Sequence, residues 1–135
     1  MLAAGLGAAC TLASDLSAME GVRQLRDRFW GLLQERFGAQ VALNGHPERR
    51  LPNTLNVSFV GRIGAEILER LEGVAASTGS ACHSGRIELS PVLQAMGIAP
   101  EVGMGAVRFS LGRGTTRDDV DTVVERLTEI LATAG

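Results

Sequence analysis

Apolar residues recur at helical spacing over the first 37 positions of the chain. This spacing predicts one long amphipathic helix that ends at Gly38. A helix of that length beside a small domain is typical of a segment that spans two domains. We therefore divide the chain into 1–38, an interdomain helix expected to be truncated on its N-terminal side, and 39–135, a small C-terminal domain. The apolar positions are Leu12, Leu16, Met19, Val22, Leu25, Phe29, Leu33 and Phe37.

Two later stretches alternate between apolar and polar residues, as half-buried strands do. Residues 54–60 and 106–111 each place every second residue on an apolar face. Shorter strands are predicted at 41–43 and at 73–76. The apolar faces of the two longer strands comprise Leu55, Val57, Phe59, Val107, Phe109 and Leu111.

Helices are predicted between and after these strands. A short amphipathic helix covers 65–71, and another begins with Pro91 after a capping Ser90. Thr115 or Thr116 caps the last helix, which carries a full apolar stripe. The fold class that follows is α/β, a two-layer α+β sandwich in which a small mixed or antiparallel sheet is covered by helices.

Composition excludes several classes of partner. The 135 residues fit one domain, the net charge is −2, and aromatic residues make up 4% with no Tyr, so neither nucleic acid nor an anionic membrane surface is expected. Two cysteines form no disulfide framework, which favours a cytoplasmic protein with reduced thiols. All 13 basic residues are arginines, so the chain has no lysine amine for a Schiff base.

Cys82 is the first candidate for chemistry. It lies in a glycine-punctuated loop, 77–85, whose small polar residues predict a mobile segment. A thiol in such a loop can act as a nucleophile when its thiolate is stabilised. The alternative is a loop cysteine without a chemical role.

Arg108 is the second candidate. It interrupts a strand on the face opposite Val107 and Phe109, where a charged side chain needs an anionic partner. A carboxylate is the natural match for a guanidinium group. The alternative is a structural ion pair with a carboxylate such as that of Glu66 or Glu69.

Weaker candidates surround these two. Ser80 and His83 lie close to the loop cysteine in sequence, and His83 could help to poise its thiol, although sequence neighbours in a loop often point apart. Arg113 could bind a phosphate or carboxylate, but its position favours an interface or structural role. The two histidines, His46 and His83, are too far apart in sequence to indicate a metal site with Cys82, and no metal is expected.

Five blocks of the sequence, taken in order, resemble the C-terminal small domain of cysteine desulfurases. These enzymes belong to the class V aminotransferase group of fold type I enzymes that use pyridoxal phosphate. The resemblance covers nearly the whole chain, and five ordered blocks are more specific than any single motif. The blocks are 51–59, 77–85, 90–93, 107–113 and 115–116.

The resemblance implies a function and its participants. A lysine of the large domain would hold pyridoxal 5′-phosphate, Arg108 would bind the carboxylate of L-cysteine, and Cys82 would take the substrate sulfur as a persulfide while alanine leaves. A sulfur acceptor such as an iron–sulfur scaffold protein, and a homodimer of the full-length enzyme, are also implied. Without a lysine, the present chain is expected to bind no cofactor and to be inactive alone.

Two other functions fit the same residues. Selenocysteine lyase is a close relative that also presents a cysteine in this loop. A cofactor-free sulfur carrier or interaction module would need only an accessible Cys82.

Overall fold

A computed structural model describes residues 2–78 and 88–133 of the chain. Within these ranges, three strands form one sheet in the order β1-β2-β3. They are β1 (Val41–Leu43), β2 (Thr54–Phe59) and β3 (Ala106–Ser110), and both neighbouring pairs are antiparallel. The predicted small sheet is therefore confirmed in its antiparallel form.

The register of the sheet places like residues opposite each other. Val41 faces Phe59 across β1 and β2, and Asn56 faces Arg108 across β2 and β3. Side chains alternate between the two faces of a strand, so directly opposite residues share a face. Apolar residues consequently meet on one face and polar residues on the other.

The strand predicted at 73–76 is absent from the described part of the chain. Gly73 has a φ of 71°, a conformation that turns the backbone out of a helix rather than extending it. Pairing is limited to an isolated antiparallel bridge between Ser77 and Arg108. Ser77 N donates to Arg108 O at 3.1 Å, and Arg108 N donates to Ser77 O at 2.6 Å.

The prediction of a single long helix at the start of the chain is wrong, because two helices occupy this stretch. They are α1 (Leu2–Ala13) and α2 (Ser17–Phe37), bent by 69° at the break. Leu12 and Leu16, predicted to face inward, are 68% and 69% exposed. No single helix in the described residues is long and apolar enough to cross a membrane; α1 and α2 pass that test only together, as a bent pair.

Hydrogen bonds at the break explain why the helix does not continue. The Asp15 carboxylate accepts a bond from Ser17 N at 2.9 Å, which satisfies a free N–H at the start of α2. Hydrogen bonding from Ser17 lowers the pKa of Asp15. The Arg113 guanidinium then donates to the carbonyls of Leu12 at 2.8 Å and Asp15 at 2.6 Å, satisfying carbonyls at the end of α1.

Four further helices and one turn complete the described structure. A 3-10 turn at Gly38–Gln40, which the pattern did not predict, leads from α2 into β1. The helices α3 (Gly64–Arg70) and α4 (Pro91–Ala95) match the predicted positions. They are followed by the short α5 (Pro100–Gly103) and by α6 (Arg117–Ala132).

The last helix begins with the cap that the sequence predicts, at Thr116 rather than Thr115. Thr116 Oγ1 accepts from Asp119 N at 3.2 Å, and Asp119 Oδ2 accepts from Thr116 N at 2.8 Å. This reciprocal pair is a capping box. Ser90 lies at the N-cap position of α4, but its side chain makes no capping hydrogen bond there.

The hydrophobic core lies between the sheet and two helices. The apolar stripes of α2 and α6 cover one face of β2 and β3, and Phe29 meets Phe109 edge-to-face with ring centroids 5.0 Å apart. The core is therefore one-sided. Its buried members include Val22, Phe29, Leu33, Leu55, Val57, Phe59, Val107, Phe109, Val120, Val124, Leu127 and Ile130.

A buried arginine fastens the loop before β2 to α2. Arg26, which is 3% exposed, donates to Leu51 O at 2.6 Å and to Asp27 Oδ1 at 2.6 Å. Arg50 reaches the same Asp27 oxygen at 3.3 Å. Burial lowers the pKa of Arg50, and the neighbouring charge of Arg26 lowers it further. Both guanidinium groups are thus used structurally.

Candidate functional site

The face of the sheet turned away from α2 and α6 is polar. On β3, Val107 and Phe109 are buried while Arg108 and Ser110 are exposed. On β2, the polar members of the alternating pattern point to this same face. The predicted alternation thus produces a polar surface on one face of the sheet, with the hydrophobic core packed against the other face.

Arg108 is exposed on this surface and has no partner among residues 2–78 and 88–133. The structure gives its side chain no hydrogen bond or ion pair in those ranges. The alternative of an ion pair with Glu66 or Glu69 is therefore wrong. The expectation that Arg108 needs an internal anion fails because the side chain lies in water, where an unpaired charge costs little.

A row of polar residues crosses the sheet at the level of Arg108. Asn56 faces Arg108 in the register, and Asn44, which follows β1, donates its backbone N–H to Asn56 O at 2.9 Å. On the other side of β3, Ser77 is bridged to Arg108. Directly opposite residues in antiparallel pairing have Cβ atoms about 5 Å apart. The order across the face is therefore Asn44, Asn56, Arg108, Ser77.

The side chains of this row are partly interlocked. Asn44 Nδ2 donates to Asn56 Oδ1 at 3.0 Å and to Ser58 Oγ at 2.8 Å. Asn44 is 8% exposed and Ser58 is fully buried, so these bonds are largely shielded from water. Low dielectric surroundings strengthen such bonds. The orientation of the Asn56 amide is consequently set by Asn44.

Three predicted site residues fall outside the described ranges. Cys82, Ser80 and His83 lie within 79–87, so their roles and the predicted mobility of 77–85 stay predictions. The chain enters that segment through Ser77 and Thr78. In sequence, Cys82 is the fifth residue after the one bridged to Arg108.

Arg113 lies at a different place in the fold and has structural partners. Its guanidinium binds the two backbone carbonyls at the break between α1 and α2. It also lines a cleft of about 370 Å³ with Arg28 and Arg117. Because its bonds hold the helix break, Arg113 is used structurally, which is one of the two roles that the sequence left open.

Within the described residues, no three His, Cys, Asp or Glu side chains lie close enough to hold a metal ion. His46 has a local role instead. Its Nδ1 accepts hydrogen bonds from the backbone N–H groups of Glu48 and Arg49, both at 3.0 Å. This ring therefore organises the turn before β2.

A cleft of about 380 Å³ lies on the helix-covered side of the sheet. It is bounded by α2, α6 and the segment that begins at Gly73, with Phe29, Phe109 and Val123 among its lining residues. Arg108 does not line it. The exposed guanidinium of Arg108 and this cleft thus lie on different faces of the sheet.

Comparison with known proteins identifies the family. The family model for aminotransferase class V matches residues 1–123. The chain belongs to the class V aminotransferase family. It is 41% identical over 135 residues to the cysteine desulfurase IscS of Acinetobacter baumannii (strain AYE), and 40% identical over 124 residues to the cysteine desulfurase IscS of Serratia proteamaculans (strain 568).

These matches use most of the chain but only part of each relative. They cover 93% and 90% of the chain against 33% and 30% of the two IscS proteins. The chain therefore spans about a third of the length of the curated relatives it matches. The resemblance to cysteine desulfurases that the sequence motifs indicated is confirmed.

Two solved structures share the fold. A NifS-like protein superposes with a TM-score of 0.69 at 29% identity, covering 86% of this chain and 28% of its own. A NifS-like protein from Rickettsia africae superposes with a TM-score of 0.71 at 22% identity, covering 84% and 29%. The arrangement of sheet and helices thus matches between a quarter and a third of the length of each NifS-like protein.

Asn44 and Asn56 were missed as site residues by the sequence reasoning. The alternation around Asn56 was visible and assigned it to the polar face. Asn44, however, falls in a stretch that reads as a turn. Only the antiparallel pairing places Asn56 opposite Arg108 and Asn44 next to Asn56.

Proposed function

We propose that this chain is the part of a cysteine desulfurase that binds the substrate carboxylate and accepts the substrate sulfur. The observation that carries the proposal is Arg108: it is exposed, its side chain has no hydrogen-bond or ion-pair partner in the described ranges, and it lies within a sequence block that resembles cysteine desulfurases. L-cysteine is the proposed substrate, and a sulfur-acceptor protein is the proposed partner.

Arg108 binds the carboxylate of the amino acid. A guanidinium group offers parallel N–H donors that match the two carboxylate oxygens. Its position opposite a buried apolar row makes the supporting strand rigid, because Val107 is fully buried and Phe109 is 4% exposed. A rigid support limits the reorganisation needed when the substrate binds.

Cys82 accepts the sulfur atom. Its thiolate attacks the sulfur of L-cysteine, an S–S bond forms, and the C–S bond of the substrate breaks. The electron pair of the broken bond stays on carbon, which takes up a proton and becomes the methyl group of alanine. The products are alanine and a Cys82 persulfide, so atoms and electrons balance without an external oxidant.

The chain by itself does not fit pyridoxal phosphate. The sequence contains no lysine, so none of its residues can hold the cofactor as a Schiff base. A cofactor-binding partner or segment must therefore supply the electron sink, and we expect this chain alone to be inactive. The homodimer implied by the resemblance and the cytoplasmic location favoured by the two cysteines stay predictions.

A chimaera tests the proposal. The aligned segment of the Acinetobacter baumannii IscS is replaced by this chain, and alanine release and protein-bound persulfide are measured with L-cysteine. We expect both products, with the extra sulfur located on Cys82 by mass spectrometry.

Cys82→Ser should abolish the persulfide, and Arg108→Lys should raise KM more than it lowers kcat, because it removes the planar donor pair. Cys10→Ser, at an exposed position of α1, is the matched control and should behave as the parent.

Two results would contradict the proposal. Turnover of L-selenocysteine without turnover of L-cysteine would favour a selenocysteine lyase. A persulfide that forms equally well on the Cys82→Ser chimaera would exclude Cys82 as the acceptor.

A further inference from the structure

The Asn56 amide presents only one of its two ends to the protein. Its Oδ1 accepts the bond from Asn44 Nδ2, whereas its Nδ2 has no hydrogen bond with any residue in 2–78 or 88–133. The oxygen and nitrogen of an amide diverge from the same carbon. Because the oxygen is turned to Asn44, the nitrogen points away from Asn44, and the cross-strand neighbour of Asn56 on β3 is Arg108.

The hydrogen bonds of the Asn44 amide support this orientation of Asn56. Asn44 directs both N–H groups to Asn56 Oδ1 and Ser58 Oγ, and its own Oδ1 is buried without a hydrogen-bond partner in the described structure. A buried unpaired acceptor is destabilising. Turning the Asn44 amide around would place its Nδ2, with two N–H donors, where Oδ1 now has no partner, so the observed orientation leaves fewer polar groups unpaired and keeps the Asn56 oxygen bound.

A carboxylate bound to Arg108 through two parallel N–H donors keeps acceptor sites that this pair does not fill. Each carboxylate has about four acceptor sites, and an ion pair exposed to water contributes little by itself. A neutral N–H donor opposite Arg108 adds a bond and fixes the orientation of the ligand. The additional donor can be neutral, because the guanidinium of Arg108 already supplies the positive charge.

We propose that Asn56 Nδ2 donates a hydrogen bond to the carboxylate bound by Arg108, and that Asn44 is the positioning residue that keeps the Asn56 amide in this orientation. The ligand class is the α-carboxylate of an amino acid. The inference rests on the proposed role of Arg108, but it concerns different residues and can fail separately.

The test uses the ¹⁵N-labelled chain in solution and titrates it with L-alanine, the proposed product. The side-chain signals of Asn56 Nδ2 and Arg108 Nε are followed by NMR, with L-alaninamide as the ligand that lacks a carboxylate. We expect both signals to shift with L-alanine and neither to shift with L-alaninamide. The amide of Asn53, which interacts with Thr54 instead, is the internal control and should not move.

Variants separate the two roles. Asn56→Ala should weaken L-alanine binding about fivefold, the effect of one hydrogen bond, and Asn56→Asp should weaken it further because a like charge faces the ligand. Asn44→Ser should weaken binding less and make the Asn56 amide signals average over two orientations. Asn53→Ala is the matched control, with binding unchanged, and circular dichroism identifies any variant that has not folded.

Each outcome decides between the proposals. If Arg108→Ala loses binding while Asn56→Ala and Asn56→Asp bind as the parent does, the inference about Asn56 is wrong and the role of Arg108 stands. If Arg108→Ala also binds as the parent does, or if L-alanine shifts neither signal, the proposed carboxylate site fails as well. A change in melting temperature without a change in binding would make Asn44 purely structural.

Discussion

The two faces of β2 and β3 use neighbouring residues for different purposes. Phe109 is 4% exposed and packs against Phe29, whereas the next residue back, Arg108, is exposed and has no partner in the described ranges. Successive side chains of a strand point to opposite faces, so one residue can stabilise the fold while its neighbour stays free for a ligand. Stability and binding should therefore respond separately to mutation along β3.

The largest effect on stability is expected at the covered face. Phe109→Ala removes a buried ring and its edge contact with Phe29, so the free energy of unfolding should fall by about 3–5 kcal/mol. Chemical denaturation monitored by circular dichroism measures this. Phe109→Leu is the control and should lose much less, because it keeps most of the apolar volume. A loss below about 1 kcal/mol for Phe109→Ala would mean that this face is not the core.

An intermediate effect is expected away from both faces, at the cap of α6. Thr116→Ala removes half of the capping box and should cost about 1 kcal/mol, whereas Thr122→Ala, at an exposed position of the same helix, should not.

The same cap has a pH dependence. Hydrogen bonds from Thr116 lower the pKa of Asp119 from its ordinary value of 3.8, so its charged form stabilises the fold at pH values above 3.8. That contribution is lost as pH falls through the folded-state pKa. The difference between parent and Thr116→Ala should therefore shrink in acid, and a difference that grows there would contradict the assigned cap.

The smallest effect on stability is expected at the open face. Arg108→Ala should change the free energy of unfolding by less than about 0.5 kcal/mol, because the side chain is exposed and has no described partner. Arg26→Ala is the contrasting variant. It removes a buried guanidinium from Leu51 O and should destabilise by about 2 kcal/mol or more. If Arg108→Ala were as damaging as Arg26→Ala, the two faces would not differ as described.

Local patterns predicted the elements whose signal lies within a few residues. The alternation that buries Val57 and Val107 needed only strand periodicity, and residue type narrowed the cap of the last helix to Thr115 or Thr116. The same reasoning failed at Leu12 and Leu16. Their spacing continued the helical pattern, but Asp15 and Arg113 supply hydrogen bonds that end one helix and start another. Arg113 lies 98 residues from Asp15, and no local window contains both.

The candidate site divides in the same way. Sequence blocks singled out Arg108 and Cys82 and predicted the polar face of β3. The partners of Arg108 in the fold were not visible, because a cross-strand neighbour depends on register. Asn56 and Ser77 reach Arg108 only through antiparallel pairing with β3.

By itself, the order of apolar and polar residues determined strands β1 to β3 and the last helix, and the residue types carried the family resemblance, since these signals depend on nearby positions or on the residues themselves. The absence of lysine likewise needs no coordinates. Tertiary structure alone decided that Arg108 lies in water rather than in an ion pair, and that Asn44 orients Asn56 beside it. Burial and register join residues that are distant in the chain, and both are set only when the sheet packs against α2 and α6.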